Sequence, residues 1–418
     1  MTSDKLKTFL PAIVLIVSAF ALAYQFVDPA PPNTLTLSAG SKEGAYYRYA
    51  GLYRDYLEKR GITVNILESA GSQENVERLT AGEADVAFVQ GGIAKPENNQ
   101  LISLGSLYYE PLWVFMRKDV SIRSLLELKD KSIAVGFKGS GTRVLTLQLL
   151  KENGVGEHSA KLIDMGGNQA VEALLKGSVD IVFLVAGEKS DVVQKLNQNS
   201  QVKLLNFTRA EAYVRRIANL SSLNLAEGVL HLANNIPAHD TTLLATTATL
   251  LVNKHTHPAL QGLLLQAAAY VHGGRSLFSN AGDFPTSRYS DMTLSKPAQH
   301  YYKSGPPFLQ RYLPFWAATM IDRLKVMLLP FIALLLPLFK IMPPLYRWRV
   351  RSRIYRWYEE LGRIDIALVE GGDETLIDEL DRIENEIRKV HVPLSYADEL
   401  YSLRLHLALI RDSVVKKG

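Results

Sequence analysis

The sequence contains no cysteine among its 418 residues. This absence excludes thiol catalysis, disulfide bonds, and zinc or iron–sulfur centres that need cysteine ligands. The chain also lacks a large excess of charge of either sign, because the net charge is only +5 and the basic excess is confined to short segments. A nucleic-acid partner is therefore not expected.

Catalytic and metal-binding motifs are missing as well. The chain has no HExxH pair and no G-x-S-x-G nucleophile elbow, so two common hydrolase signatures are excluded. Gly136 and Gly141 have the separation of a phosphate-binding P-loop, but Thr142 and Arg143 replace the required Lys and Ser/Thr. We therefore expect that the protein is not an enzyme and that it binds neither a metal ion nor a cofactor. The five histidines between positions 231 and 272 also match no standard ligand spacing: His231, His239, His255, His257 and His272.

Long apolar runs occur at two places. Residues 8–27 (TFLPAIVLIVSAFALAYQFV) carry no charged side chain over about the length that a bilayer requires. They predict a transmembrane anchor, with a cleaved signal peptide as the alternative. Residues 326–345 (VMLLPFIALLLPLFKIMPPL) predict a second transmembrane helix, which Pro330 and Pro337 would kink.

Basic residues flank both runs and predict the topology. Residues 1–7 contain Lys5 and Lys7, and five arginines lie between positions 347 and 356. Basic flanks mark the cytoplasmic side and attract anionic lipids. We therefore expect a two-pass protein of the inner membrane with both termini cytoplasmic. An aromatic interfacial helix is expected at 311–325.

The intervening region alternates strands and helices, which predicts an α/β fold. Residues 63–92 (TVNILESAGSQENVERLTAGEADVAFVQGG) form its clearest unit, a strand, a glycine turn, a short helix and a second strand. Such a unit places a helix N-terminus and Ser72 at the carboxyl end of a strand, where open α/β sheets bind small ligands, often anions.

A similar order recurs at 132–187, with a glycine loop at 137–141 and backbone amides, Ser140 and Thr142 suited to binding a carboxylate. The repetition predicts two lobes with a cleft that opens and closes by a hinge. We expect the first lobe at 33–119 and 206–305 and the second at 120–205. Residues 101–107 and 112–117 are predicted to be separate strands.

Four blocks in this region resemble the TAXI branch of TRAP-transporter solute-binding proteins: ESAGSQENVERLTAGEADVAFVQ, YYEPLWVFM, LLELKDKSIAVGFKGSGTR and ALLKGSVDIVFLVAG. The resemblance covers about 34–187 well and continues more weakly to about 307. It implies a two-lobed type II periplasmic-binding-protein fold that encloses a small organic anion or glutamate-like amino acid. The ligand-binding positions that it implies are Gly40, Ser41, Tyr46, Tyr47, Ser72, Asn75, Gln90, Ser140, Gly141, Thr142 and Gly187.

The first loop departs from the family pattern. It reads Gly-Ser-Lys-Glu-Gly-Ala-Tyr-Tyr at 40–47, where the family is richer in glycine. Lys42 could pair with a ligand carboxylate or remain solvated. The identity of the ligand is left open by this difference.

The tail at 346–418 is predicted to be helical and cytoplasmic. Two apolar stripes, at 375–390 and 395–415, predict an antiparallel helical pair that could form a homodimer or dock on a membrane partner. We expect an extracytoplasmic, membrane-anchored solute-binding protein that presents its ligand to a TRAP-type permease. A membrane-anchored ligand sensor that signals through the tail is the alternative.

Overall fold

The computed structural model describes residues 2–25, 29–370 and 375–417. The chain divides into two compact units, and each is described by itself. One unit is Ala30–Thr319, which contains the α/β region. The other combines Met1–Pro29 with Met320–Gly418, and it is helical.

The α/β unit contains one mixed sheet of ten strands. Most strands are short apolar runs rich in β-branched residues, a composition that favours buried strands. They are β1 Thr34–Ser38, β2 Thr63–Leu67, β3 Val86–Gln90, β4 Leu101–Arg117, β5 Ser132–Ala134, β6 Lys161–Ile163, β7 Ile181–Val185, β8 Val202–Leu204, β9 Ser221–Leu225 and β10 Thr241–Asn253.

Eight helices of this unit pack on the sheet or follow it. Helix α1, Thr2–Tyr24, precedes them in the chain and belongs to the helical unit. The eight helices are α2 Ala45–Glu58, α3 Ser72–Ala81, α4 Gly141–Glu152, α5 Gly167–Leu175, α6 Asp191–Asn197, α7 Ala210–Arg216, α8 Pro258–His272 and α9 Lys296–Ser304.

Two long strands connect the two halves of the sheet. Its order is β2-β1-β3-β10-β4-β7-β5-β6, so β10 and β4 lie in the middle. The antiparallel pair of β4 and β10 joins the parallel strands of the first lobe to those of the second. This arrangement agrees with the predicted two-lobed α/β fold.

The prediction of two strands at 101–107 and 112–117 is wrong, because β4 is one strand of 17 residues. The polar and proline residues at 108–111 resemble a break in the sequence. They instead lie where the strand passes from one lobe to the other, opposite Ala245–Ala248 of β10.

The lobes have separate cores. The first-lobe cluster includes Leu37, Tyr53 and Phe88, which are fully buried or nearly so, with α8 covering them. The second lobe has a cluster on each face of its sheet, one around Leu149 and one around Trp113.

The chain returns to the first lobe at a later residue than 206, the position that the sequence predicted. Phe207, Ala210 and Tyr213 are buried in the same cluster as Leu145 and Leu149 of the second lobe. The chain enters the second lobe on β4 and leaves it on β10. Helix α7 supplies Ala210 and Tyr213 of this cluster.

The helical unit contains α1, α10 Phe315–Val369 from its residue 320 onward, α11 Thr375–Arg388 and α12 Ala397–Lys417. Helix α10 contains residues 315–325 of the predicted interfacial helix, the second predicted membrane segment and the first part of the tail, and it continues through Pro330 and Pro337. The interfacial helix therefore begins at residue 315 and not at the predicted 311.

Within the described residues, one helical segment, Phe331–Val369, is long and apolar enough to cross a membrane, and a shorter apolar helix spans Ile13–Leu22. The first predicted segment ends at Phe26 and Val27, which lie outside the described residues. The two-pass arrangement therefore stays a prediction.

The tail is a three-helix bundle and not the predicted pair. Ile354, Leu361 and Leu368 of α10 share one buried cluster with the apolar stripes of α11 and α12. Ile383 of α11 and Leu403 of α12 are completely buried there. The stripes that suggested dimerisation are therefore covered within the chain.

Candidate functional site

The junction of the two lobes is formed by loops at the N-termini of α3 and α4. In the first lobe, β2 ends at Leu67 and the chain turns through Gly71, whose φ of 134° suits glycine alone, before α3 begins. In the second lobe, Gly139 has φ 82° and Ser140 precedes α4. Both helices thus direct the positive ends of their dipoles towards this region.

The two loops are in direct contact. The backbone N–H of Gln73 donates to the carbonyl of Gly139 over 3.1 Å. A Cβ atom on Gly71 would lie 3.2 Å from Cα of Ser140, and one on Gly139 would lie 3.2 Å from Cβ of Ala70. Because Gly71 and Gly139 have no side chains, the backbones of the two lobes can come into direct contact here.

Gln90 forms a second bridge between the lobes. Its backbone N–H, at the end of β3, donates to Oγ of Ser72 over 2.9 Å. Its side-chain Nε2 lies 3.4 Å from the carbonyl oxygen of Gly141 in the second lobe, at the limit of a hydrogen bond. Ser72, Gln90 and Gly141, all predicted ligand-binding residues, are brought together here.

Asn75 forms the centre of a buried hydrogen-bond network. Oδ1 accepts from Oγ of Ser38 (2.6 Å) and from Oγ of Ser69 (2.7 Å). Nδ2 donates to the carbonyls of Ala39 and Phe88. The amide therefore joins β1, β3 and the loop before α3, and its hydrogen-bonding capacity is used by the scaffold.

Ser140 is similarly engaged by its own loop. Its Oγ donates to the carbonyl of Phe137 over 2.7 Å and accepts from the backbone N–H of Arg143 over 3.3 Å, as an N-cap of α4. Thr142 is half-buried, and its Oγ1 lies 3.4 Å from the N–H of Val185. Gly187, just after β7, has open space where a Cβ would be.

The tyrosines at the start of α2 have different surroundings. Tyr46 stacks on Phe88 with a centroid distance of 5.6 Å, and its hydroxyl donates to Oε2 of Glu110 over 2.9 Å. Burial and the negative charge of Glu110 raise the pKa of Tyr46, which also interacts with Ser72. Tyr47 is half-buried against the first-lobe core.

The glycine loop before α2 contributes less to the junction. Gly40 is buried against the Tyr46 ring, whereas Ser41 is exposed and its carbonyl accepts from the N–H of Gly44 over 2.8 Å. Nζ of Lys42 lies 3.6 Å from Oε2 of Glu68, and both side chains are at least half exposed. Such an exposed pair adds little stability.

Glu110 is a site residue that the sequence analysis missed. It lies on β4 where the strand changes lobes, is only 5% exposed, and accepts from Tyr46 and, more weakly at 3.5 Å, from the hydroxyl of Tyr108. Burial raises the pKa of Glu110 to about 7, although the two tyrosine hydrogen bonds oppose this shift. The signal available in the sequence was a single acidic residue between two largely apolar runs of strand length.

The site therefore offers two helix N-termini, tyrosine rings and one buried carboxyl group at the border of two lobes. These features suit the binding of a small polar molecule. In the part of the chain that the structure describes, no group of three or more His, Asp or Glu side chains could hold a metal ion.

Comparison with known proteins identifies the family. Residues 37–255, which include strands β2 to β10 and therefore parts of both lobes, match the NMT1-like family. The chain belongs to the NMT1-like family.

Several solved structures resemble this NMT1-like protein at low sequence identity. The periplasmic aliphatic sulphonate binding protein SsuA from Escherichia coli is 17% identical, with a TM-score of 0.38 over 57% of this chain and 70% of that one. An ancestral arginine-binding protein bound to arginine is 17% identical, with a TM-score of 0.40 over 57% and 92%. A histidine kinase sensor domain with similarity to periplasmic binding proteins is 15% identical, with a TM-score of 0.39 over 57% and 90%.

Proposed function

We propose that the chain is a membrane-anchored extracytoplasmic solute-binding protein whose ligand is held between the two lobes. The observation that carries this proposal is the junction itself, where the Gln73 N–H donates to the Gly139 carbonyl across the two lobes. Two chain segments connect the lobes covalently: the chain enters the second lobe on β4 and leaves it on β10, and the pairing of these two strands suits a hinge.

The ligand class proposed is a small carboxylate or a glutamate-like amino acid. The N-termini of α3 and α4 both lie at the junction, and exposed amides at helix N-termini favour an anionic group. The eleven positions named from the TAXI resemblance are proposed to surround the ligand, with Asn75 and Ser140 shaping the loops and Tyr46, Thr142 and Gly187 nearer to it.

Presentation of the ligand to a TRAP-type permease is the proposed role. A ligand that contacts both lobes only when they are closed would shift the balance towards the closed form. A permease could then recognise that form at a fixed place on the outer face of the membrane. The resemblance to the TAXI branch supports this part of the proposal.

The test uses the full-length protein in detergent micelles. L-Glutamate, other acidic amino acids and dicarboxylates should raise its melting temperature in a concentration-dependent manner. Small-angle scattering should show a smaller radius of gyration for the α/β unit with ligand. An absence of any thermal shift across the panel would remove the support for solute binding.

A ligand sensor is the second candidate, because one observation favours it. Helix α10 spans 55 residues, begins with the buried Phe315 of the α/β unit, and supplies the buried Leu368 of the tail bundle. Cross-linking between tails that changes on ligand addition, with no permease copurifying, would favour the sensor. Copurification of a permease with an unchanged tail would favour transport.

A further inference from the structure

Glu110 lies at the border of the two lobes. Two residues before it, Tyr108 packs against the first-lobe core, and two residues after it, Leu112 pairs with Val185 of the second lobe. The carbonyl of the next residue, Pro111, accepts from the N–H of Ala186 over 3.2 Å. The carboxyl group of Glu110 is thus adjacent to the junction where the proposed ligand binds.

This carboxyl group is buried without a positive partner. Among the residues that the structure describes, its polar contacts are the hydroxyls of Tyr46 and Tyr108, and both are neutral donors. A buried carboxylate is costly unless a positive charge accompanies it. A ligand that carries a positive charge would supply the missing partner.

Aromatic rings surround the same position. Tyr49 lies 5.0 Å from Tyr108 and 4.6 Å from His272, measured between ring centroids, and Tyr46 stacks on Phe88. The electron-rich faces of tyrosine rings attract ammonium groups. Burial raises the pKa of Tyr49, the positive charge of Arg48, which lies 5.5 Å from the ring centroid, opposes this shift, and the negative charges of Glu188 and Glu110 add to it. The ring faces nearest to Glu110 that are free of Arg48 are therefore those of Tyr46 and Tyr108.

Buried polar atoms without partners provide an independent indication. Within the described chain, Oη of Tyr53 and Nε2 of His272 have no hydrogen-bond partner, although these residues are 0% and 8% exposed. The His272 ring stacks on Tyr108, the residue that donates to Glu110, at 5.2 Å. Unpaired buried polar atoms are rare in folded proteins, and the polar group of a bound ligand would supply partners for them.

We propose that Glu110 and the surrounding tyrosines bind the ammonium group of an amino-acid-like ligand, whose carboxylate lies towards the helix N-termini. This inference rests on the proposed function and narrows its ligand class. A simple dicarboxylate would leave Glu110 without a counter-charge, whereas a zwitterion satisfies both ends of the site. Glu110 is therefore a specificity-determining residue.

The experiment compares amino acids with their counterparts that lack the amine, such as L-glutamate with glutarate, by calorimetry on the full-length protein. The wild type should bind the aminated member of a pair at least about tenfold more tightly. Glu110→Gln, which keeps the shape of the side chain, should abolish this preference without weakening the binding of the other member. Glu68→Gln, an exposed carboxylate also in the first lobe, is the matched control and should keep the preference.

A second measurement needs no variant. An ammonium group stabilises ionised Glu110, so glutamate should bind more tightly at about pH 8 than at about pH 6, and glutarate should not. The other groups that face Glu110 do not ionise in this range: burial raises the pKa values of Tyr46, Tyr49 and Tyr108 and lowers that of His272 to about 3. Arg48 over the Tyr49 ring and Glu188 complete the charged surroundings.

The outcomes separate the inference from the proposed function. The ammonium site would be overturned if the wild type bound glutamate and glutarate equally tightly. It would also be overturned if Glu110→Gln weakened the binding of both compounds equally. Either result would leave the proposal of solute binding intact. If no member of any pair binds the wild type, the proposed function fails and the ammonium site fails with it.

Discussion

Substitution of Gly141 by alanine should weaken ligand binding without destabilising the fold. Gly141 is the first residue of α4, and its φ lies outside the left-handed region, so alanine fits the backbone. Its Cβ, however, would lie 2.5 Å from Oε1 and 3.1 Å from Cβ of Gln90 in the opposite lobe. The amide of Gln90 can rotate away, but its Cβ cannot.

The expected loss of ligand affinity depends on whether the clash is present when the lobes are apart, when they are together, or in both forms. Alanine in place of glycine stabilises a helix by about 0.5–1 kcal/mol, and this gain is present whether the lobes are together or apart. Overpacking against Gln90 costs about 1–3 kcal/mol, and it arises only when the lobes meet. Since the ligand requires the closed form, its affinity should fall by about 5-fold to about 150-fold.

The assay measures ligand affinity by calorimetry and the melting temperature of the protein without ligand. Gly156→Ala is the control, because it adds the same methyl group to the second lobe where no atom lies within 4 Å. Scattering should also show a more open α/β unit for Gly141→Ala alone. Equal affinity of the two variants would refute the view that contact between these loops accompanies binding.

Three further predictions concern stability. Asn75→Ala should reduce the free energy of unfolding by about 3 kcal/mol or more, because several buried partners lose their hydrogen bonds; exposed Asn65→Ala should change denaturant midpoints little. Folded Glu110 has a pKa of about 7 against an ordinary value of 4.5, so its own contribution to stability should be fully present below about pH 4.5 and be lost, by about 3 kcal/mol, as the pH rises through about 7. Chemical denaturation of the wild type and of Glu110→Gln should differ by this amount between the two ends of that range, and parallel pH profiles would contradict it. In the tail, Ile383→Ala should cost about 2–5 kcal/mol and increase proteolysis of the bundle without changing ligand affinity; the more exposed Ile377→Ala on the same helix is its control.

The alternation of strands and helices was predictable because each element is encoded locally. Runs such as Val86–Gln90 are apolar and of strand length, and glycines mark the ends of the neighbouring helices. The repetition of the unit then predicted two lobes. The strand β4 could not be recognised as continuous, because its middle is polar only where it crosses between lobes, and that crossing is a tertiary feature.

The tail shows the same limit. Apolar periodicity predicted the buried faces of α11 and α12 correctly, since residues such as Leu380 and Leu407 are buried. It could not identify what covers them. The covering helix is the end of α10, whose own apolar positions are obscured in the sequence by the arginines and tryptophans around Trp357. A homodimer through the tail would need another surface.

Within the candidate site, the sequence predicted where the polar residues lie better than it predicted what their side chains bind. Ser72 and Ser140 were predicted because polar side chains at helix N-termini can bind anions, and Asn75 was implied by the resemblance to the TAXI branch. The structure places all three at or beside the junction, but it shows that their side chains bond the scaffold: Ser72 accepts from a β3 amide, and Ser140 caps its own helix. The same chemistry that attracts a ligand also satisfies the exposed amides of a loop.

This double use determines which substitutions can report on binding. Alanine at Asn75 or Ser140 removes hydrogen bonds that hold the loops, so a loss of affinity there would not separate a ligand contact from a displaced loop. Glu110 is different, because within the described chain its carboxyl group accepts only from the hydroxyls of Tyr46 and Tyr108 and from no backbone amide. Glutamine at position 110 has nearly the same shape and keeps one acceptor oxygen for a tyrosine hydroxyl. Its NH2 group replaces the second acceptor by a donor, to which the other tyrosine hydroxyl can turn its lone pairs, and the negative charge is lost. The residue that sequence patterns did not indicate is therefore the one whose substitution best distinguishes recognition of the ligand from maintenance of the fold.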